Sequence, residues 1–144
     1  MSTRPPAVDE RFRYVVHDAL VAAWRPDLIA GACLDWTVAL ARCPSSWTET
    51  RYGGTVSHGW SSTPTRDLMT RVLGVEPAEW GFGAAPVDPA LGALTRAAGA
   101  VPCPGGHVHV TARPGAVEID SPIPFVHRGE RHPAGHYRFR GGDR

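Results

Sequence analysis

Thr63-Pro64-Thr65-Arg66-Asp67-Leu68-Met69-Thr70-Arg71-Val72-Leu73-Gly74-Val75-Glu76-Pro77 divides the chain into two textures. Thr63 suits an N-cap, and Pro64 suits the first helical position, where a missing N–H costs nothing because that group has no intrahelical partner. Leu68, Met69, Val72 and Leu73 fall at offsets of three and four, a stripe that Gly74 ends. Upstream of this segment the apolar pattern is helical. Downstream, Pro and Gly recur every few residues and cut the chain into short runs. The class that follows is α+β.

Residues 9–24 place Phe12, Val15, Val16, Ala19, Leu20, Ala23 and Trp24 on one side of a helix. Pro26 opens a second helix, whose apolar positions Ile29, Cys33, Trp36 and Leu40 keep the helical period until Pro44 stops it. The two read as a hairpin. Beyond Pro77, His107-Val108-His109-Val110 and Ala116-Val117-Glu118-Ile119 have strand character. A boundary over residues 75–79 separates a helical part, 1–76, from a sheet part, 77–144. Trp24, Trp36 and Trp80 are assigned to packing. Helices with wide apolar stripes and a sheet of short strands each need a further surface to cover them. The expectation is an additional N-terminal region or a homo-oligomer.

A chain of 144 residues with 42% hydrophobic content builds a core the size of one domain or two small pieces. The 15 basic and 14 acidic residues are scattered and sum to +1, so charge offers no footprint for nucleic acid or an anionic membrane. No apolar run reaches membrane-spanning length, and Met1 to Pro6 lack the apolar core of a signal peptide, so the expected compartment is the cytoplasm. Cys33, Cys43 and Cys103 are odd in number and widely spaced; they read as buried thiols rather than a disulfide framework.

Ser45 to Ser61 gathers Glu49, His58 and the rings of Trp47, Tyr52 and Trp60 in turn-forming sequence. Flat rings stack on pyranose faces, hydroxyls bond to sugar hydroxyls, and a Glu beside a His moves protons, so the composition suits a carbohydrate cleft. Each residue also has a plainer reading. Glu49 can be a solvated loop carboxylate, His58 a turn histidine bonded to backbone, and the three rings core side chains at the hairpin junction. Gly54 to Gly59 has one residue too many before its serine for a nucleophile elbow, and no strand feeds it. Cys103, His107 and His109 invite a metal reading without a clear fourth ligand, and His127, His132 and His136 lie in a Pro/Gly-rich tail. No metal and no cofactor is assigned.

Four segments in order resemble the C-terminal end of bacterial α-L-rhamnosidases of glycoside hydrolase family 78. Trp47-Thr48-Glu49 resembles the aromatic-plus-Glu motif of that family, and Ser57-His58-Gly59-Trp60-Ser61 through Pro64 its His-Gly-Trp-Ser-x-x-Pro segment. Val72-Leu73-Gly74-Val75-Glu76-Pro77 is similar to its Leu-Gly-Ile/Val-x-Pro exit from the last barrel helices. Val101 to Gly106 is similar to the Pro-Thr-Pro-x-Gly turn of its C-terminal β-sandwich. The resemblance covers most of residues 10–125. It departs at Thr48, which intervenes between Trp and Glu, and at Arg51, which stands where the family has a second Trp. The general-acid motif of the family has no counterpart in residues 1–42, and Asp9, Glu10 and Asp18 do not replace it.

The resemblance implies helical hairpins from the end of an (α/α)6 barrel followed by a small antiparallel β-sandwich, and inverting hydrolysis of a terminal α-L-rhamnosyl residue. An inverting enzyme uses two carboxyl groups roughly 6.5 to 9.5 Å apart, one as acid and one as base. Glu49 takes the part of the base, Trp47 and Trp60 wall the pocket, and His58 binds a sugar hydroxyl or tunes Glu49. A carbohydrate-binding or interaction module without catalysis is the alternative from a different class.

Overall fold

The computed structural model describes residues 9–50 and 52–141, and Arg51 therefore lies outside the described residues. A 3-10 turn, Glu10–Phe12, opens on Asp9, whose side chain accepts from the Arg11 amide, and runs into α1, Arg13–Ala22. Pro26–Leu28, α2 (Ile29–Cys33), Leu34–Trp36 and α3 (Thr37–Arg42) follow one another with helical backbone angles at each junction from Leu28 to Thr37. They make the single second helix that the period predicts, with Pro26 in its first turn. The third begins at α4, Thr63–Asp67, one residue after its cap Ser62, so the cap falls a position earlier than the sequence suggests. It widens into a π turn, Leu68–Val72, before Gly74.

The direction in which α1 faces overturns the reading of its stripe. Glu10, Arg13 and His17 are buried, whereas Phe12 and Val15 are exposed and Trp24 is 91% exposed. The cause is a set of polar partners inside. Arg13 reaches Asp35 at 2.8 Å and lies over the Trp36 ring at 5.5 Å. His17 Nδ1 meets Asp67 Oδ2 at 2.5 Å with both side chains fully buried, and its ring stands edge-on to Trp36. Turning the apolar side inward would strand Asp35 and Asp67 without these partners, and a buried charge without a partner costs far more than an exposed valine. The assignment of Trp24 and Trp80 to packing is likewise corrected. Both rings stand in the open, Trp24 at a positive φ of 57° beyond the end of α1, and only Trp36 of the three is core.

Among the described residues the second half forms seven strands. β1 (Ala85–Pro86), β5 (Phe125–His127) and β6 (Glu130–His132) make a small sheet in the order β1-β5-β6. β2 (Ala97–Cys103), β3 (Gly106–Arg113), β4 (Ala116–Ser121) and β7 (Gly135–Arg140) make an antiparallel sheet in the order β2-β3-β4-β7. The β1–β5 pair is parallel, and every other pair is antiparallel. The fold is α+β with sheets arranged in the manner of a sandwich. Alternation along β3 sends Val108, Val110 and Ala112 inward and His107 and His109 out. Phe125 packs edge-on against Tyr137 and Phe139, so the small sheet meets the large one through rings.

One core runs across the junction of helices and sheets, taking in Leu73 and Val75, Ala85 and Val87, Val108 and Val110, Ile119 and Phe125. Val75 bridges Val87, and the Asp88 amide donates to Gly74 O at 3.1 Å. Gly74 has φ +71°, and a Cβ there would sit 2.1 Å from Asp88 O. The three cysteines are free thiols and half-buried. Burial pushes the Cys33 thiol up to about 12. Among the described residues, no helix is long and apolar enough to cross a membrane.

Two substitutions test this frame. Gly74→Ala combines a strained φ with a backbone clash, and urea unfolding should show a loss of at least about 2 kcal/mol. Asp67→Ala leaves His17 buried without its partner and should cost roughly 3 to 5 kcal/mol in the same measurement.

Candidate functional site

The segment between the second and third helices is a tight, irregular hairpin. Thr50 and Gly53 exchange backbone bonds at 2.9 and 3.2 Å, Glu49 N donates to Thr55 O at 2.9 Å, and His58 N donates to Trp47 O at 2.8 Å. This ladder puts Glu49 and His58 on neighbouring limbs. Gly54, at φ +89°, makes the fold-back possible, since a Cβ there would come within 2.8 Å of both Cβ and Oε2 of Glu49. Below the hairpin, buried Ser61 donates its hydroxyl to Glu49 O at 2.8 Å and accepts from Trp36 Nε1 on its own carbonyl at 2.7 Å. The Glu49 backbone is thereby tied to the helical core.

The Glu49 side chain is gripped from two directions. Oε1 accepts from Arg11 Nη1 at 2.9 Å, and Oε2 accepts from the Thr55 amide at 3.3 Å and its hydroxyl at 3.4 Å. The bond from the Thr55 amide, with the positive charge of Arg11 behind it, holds the Glu49 carboxyl below the usual carboxylate range. Thr55 Oγ1 also meets His58 Nδ1 at 3.2 Å, so His58 reaches Glu49 through a hydroxyl rather than directly. Arg11 binds a second carboxylate, Asp9, at 3.0 Å, and its bonds push Asp9 below its ordinary value too.

An open pocket of about 390 Å³ lies beside this array, lined by Arg11, Phe12, Ser57, His58, Gly59 and Trp60. Trp60 is 67% exposed and Tyr52 is also in solvent, which excludes the core reading for those two rings. Trp47 is half-buried, donates Nε1 to Thr65 Oγ1 at 3.2 Å, and supports the hairpin from the side of α4 rather than lining the pocket. The structure therefore puts His58 and Trp60 in the pocket lining, with Glu49 next to it and linked to His58 through Thr55, and leaves Trp47 outside the lining. Ser57, at φ +62°, holds the turn that presents His58. The chain matches no protein-family model and no curated protein.

Arg11 is the residue that sequence reasoning missed. It sits far from Glu49 along the chain, on a turn with no recognisable motif, and only the packing of Glu10–Phe12 against Gly59–Ser61 brings the two together. His107 and His109 stand on the outer face of β3 with ring centroids 6.1 Å apart. Among the described residues no group of three or more His, Cys, Asp or Glu is placed to hold a metal ion.

The Glu49 environment sets a sign for its titration. A carboxyl depressed in the folded state contributes stability above its unfolded value, and that contribution is lost as pH falls through the folded value. NMR titration should place Glu49 below the ordinary Glu range, and Arg11→Ala should move it upward by removing one of the two stabilising charges or donors.

Proposed function

We propose that the chain is the C-terminal portion of an inverting glycoside hydrolase acting on terminal α-L-rhamnosyl residues, with Glu49 as its base. The observation that carries this reading is Glu49 itself: a carboxylate held by Arg11 and Thr55, next to the limb whose His58 and exposed Trp60 wall a pocket that Arg11 also lines. A base must be free of its proton before it acts, and the lowering of the Glu49 carboxyl favours that form. Trp60 offers a flat face for a sugar ring, and His58 can bond its hydroxyls. The four family-like segments give the substrate.

The acid is a different matter. A general acid has to hold its proton until the leaving oxygen takes it, which calls for a raised carboxyl. The second carboxylate on Arg11, Asp9, is held in the opposite direction. The reading therefore assigns this chain half of the mechanism and leaves the acid to another segment or subunit. The exposed side chains of Val15, Leu34 and Val38 give such a neighbour apolar side chains to cover. A cytoplasmic location belongs to the same proposal and is supported by the free thiols of Cys33, Cys43 and Cys103.

The purified chain should not turn over an aryl α-L-rhamnoside, while Glu49→Gln should leave rhamnoside binding within about threefold, because the amide keeps the size and one acceptor of the carboxylate. Turnover by the chain alone that Glu49→Gln abolishes would show that the acid is already present. The absence of any rhamnoside binding would remove the glycosidase reading altogether.

A further inference from the structure

A second pocket, of about 380 Å³, adjoins the first at Trp60. It is lined by Tyr14, Ser62, Thr63 and Arg66 and shares Gly59 and Trp60 with its neighbour. Tyr14 and Phe12 are both displayed because α1 turns its charged side inward, so one aromatic side chain stands at each pocket with Trp60 between them.

The cations of both pockets are already neutralised. Arg11 is bound to Asp9 and Glu49, and Arg66 Nη2 is bound to Asp18 Oδ1 at 3.0 Å. An anionic ligand would meet cations whose charge is already compensated by carboxylates, whereas a neutral polyhydroxylated one needs no net positive charge. The Tyr14 hydroxyl can donate and accept at the second pocket, while the Ser62 hydroxyl, which donates to Gly59 O, and the Ser57 hydroxyl, which is bonded to Ser46, keep lone pairs that accept. Aromatic faces, hydroxyl groups and compensated charge are together the chemistry of a neutral carbohydrate site. Each pocket falls in the volume range of small-ligand sites.

We infer that the two pockets are adjacent sugar subsites sharing the Trp60 ring, so that the site takes an oligosaccharide of at least two neutral units rather than a single sugar. The inference rests on the carbohydrate reading above and deepens it. The pocket beside Glu49 receives the terminal sugar, and the Tyr14 pocket receives the unit to which it is joined. Tyr14 then governs which linkages are accepted, because it touches only the second unit.

The test is calorimetric titration of the full chain with two probes, methyl α-L-rhamnoside and the disaccharide rutinose, in which α-L-rhamnose is joined to glucose. Rutinose should bind about tenfold more tightly, a difference within the reach of one added stacking contact. Tyr14→Ala should bring rutinose down to the level of the methyl glycoside and leave the methyl glycoside unchanged. Tyr14→Phe should keep most of the difference if the ring makes the contact, and Trp60→Ala should weaken both probes. Both side chains are exposed, so their removal takes little from the core, and circular dichroism reports on folding in each variant. Equal affinities for the two probes, or a Tyr14→Ala effect on both, would overturn the second subsite while leaving the proposed function standing. Binding of neither probe would overturn both.

Discussion

The inward turn of the charged side of α1 is the constraint on which the rest of the arrangement depends. Arg13 must reach Asp35 and His17 must reach Asp67, and both acids come from later helices. These pairs clamp three helices about Trp36, whose ring touches both His17 and Arg13. Once that rotation is set, Phe12 and Tyr14 have to face outward, and Arg11 comes to rest over the Glu49 hairpin. A helix that packed by its apolar stripe would have carried Arg11 away from Glu49 and hidden the rings that line the pockets. Buried polar pairs add little net stability compared with an apolar core of the same volume. Here they decide orientation.

The element pattern was legible in the sequence to a greater degree than the packing. The helical periods, the stop at Pro44, the break after Gly74 and the strands around Val108 and Ile119 are local features, recorded in spacing that needs no partner to interpret. The face of α1 was not legible, because a periodic stripe says which residues share a side and not which side is covered. Trp24 and Trp80 misled for the same reason: size and hydrophobicity argue for burial only where a neighbour exists to bury against. Glu49, His58 and Trp60 were found because they lie close in sequence. Arg11 was invisible, since its role comes from a contact between distant turns.

The site inherits its rigidity from the core. Trp36 donates to the Ser61 carbonyl, the Ser61 hydroxyl donates to the Glu49 carbonyl, and the Glu49 amide closes the hairpin on Thr55. A loop carboxylate would ordinarily wander among rotamers. This one is held at its backbone by a line of bonds from the most deeply buried indole and at its side chain by donors on two sides. The hairpin is short of apolar contacts of its own, so its order is set by hydrogen bonds, with Gly54 leaving room for the carboxylate.

The outer strands of the large sheet carry a consequence for the behaviour of the folded chain at high concentration. β2 and β7 are the edge strands of this sheet, the kind of edge on which a further copy can add a strand and begin aggregation. Pro102 removes a donor from β2 near its turn, and β7 projects Arg138 and Arg140 alternately with its inward rings. An incoming strand would meet a missing donor on one edge and, on the other, the Arg128 side chain bonded to the Arg140 carbonyl at 3.4 Å. The sheet is thus guarded against end-to-end growth even though its helical half displays apolar side chains.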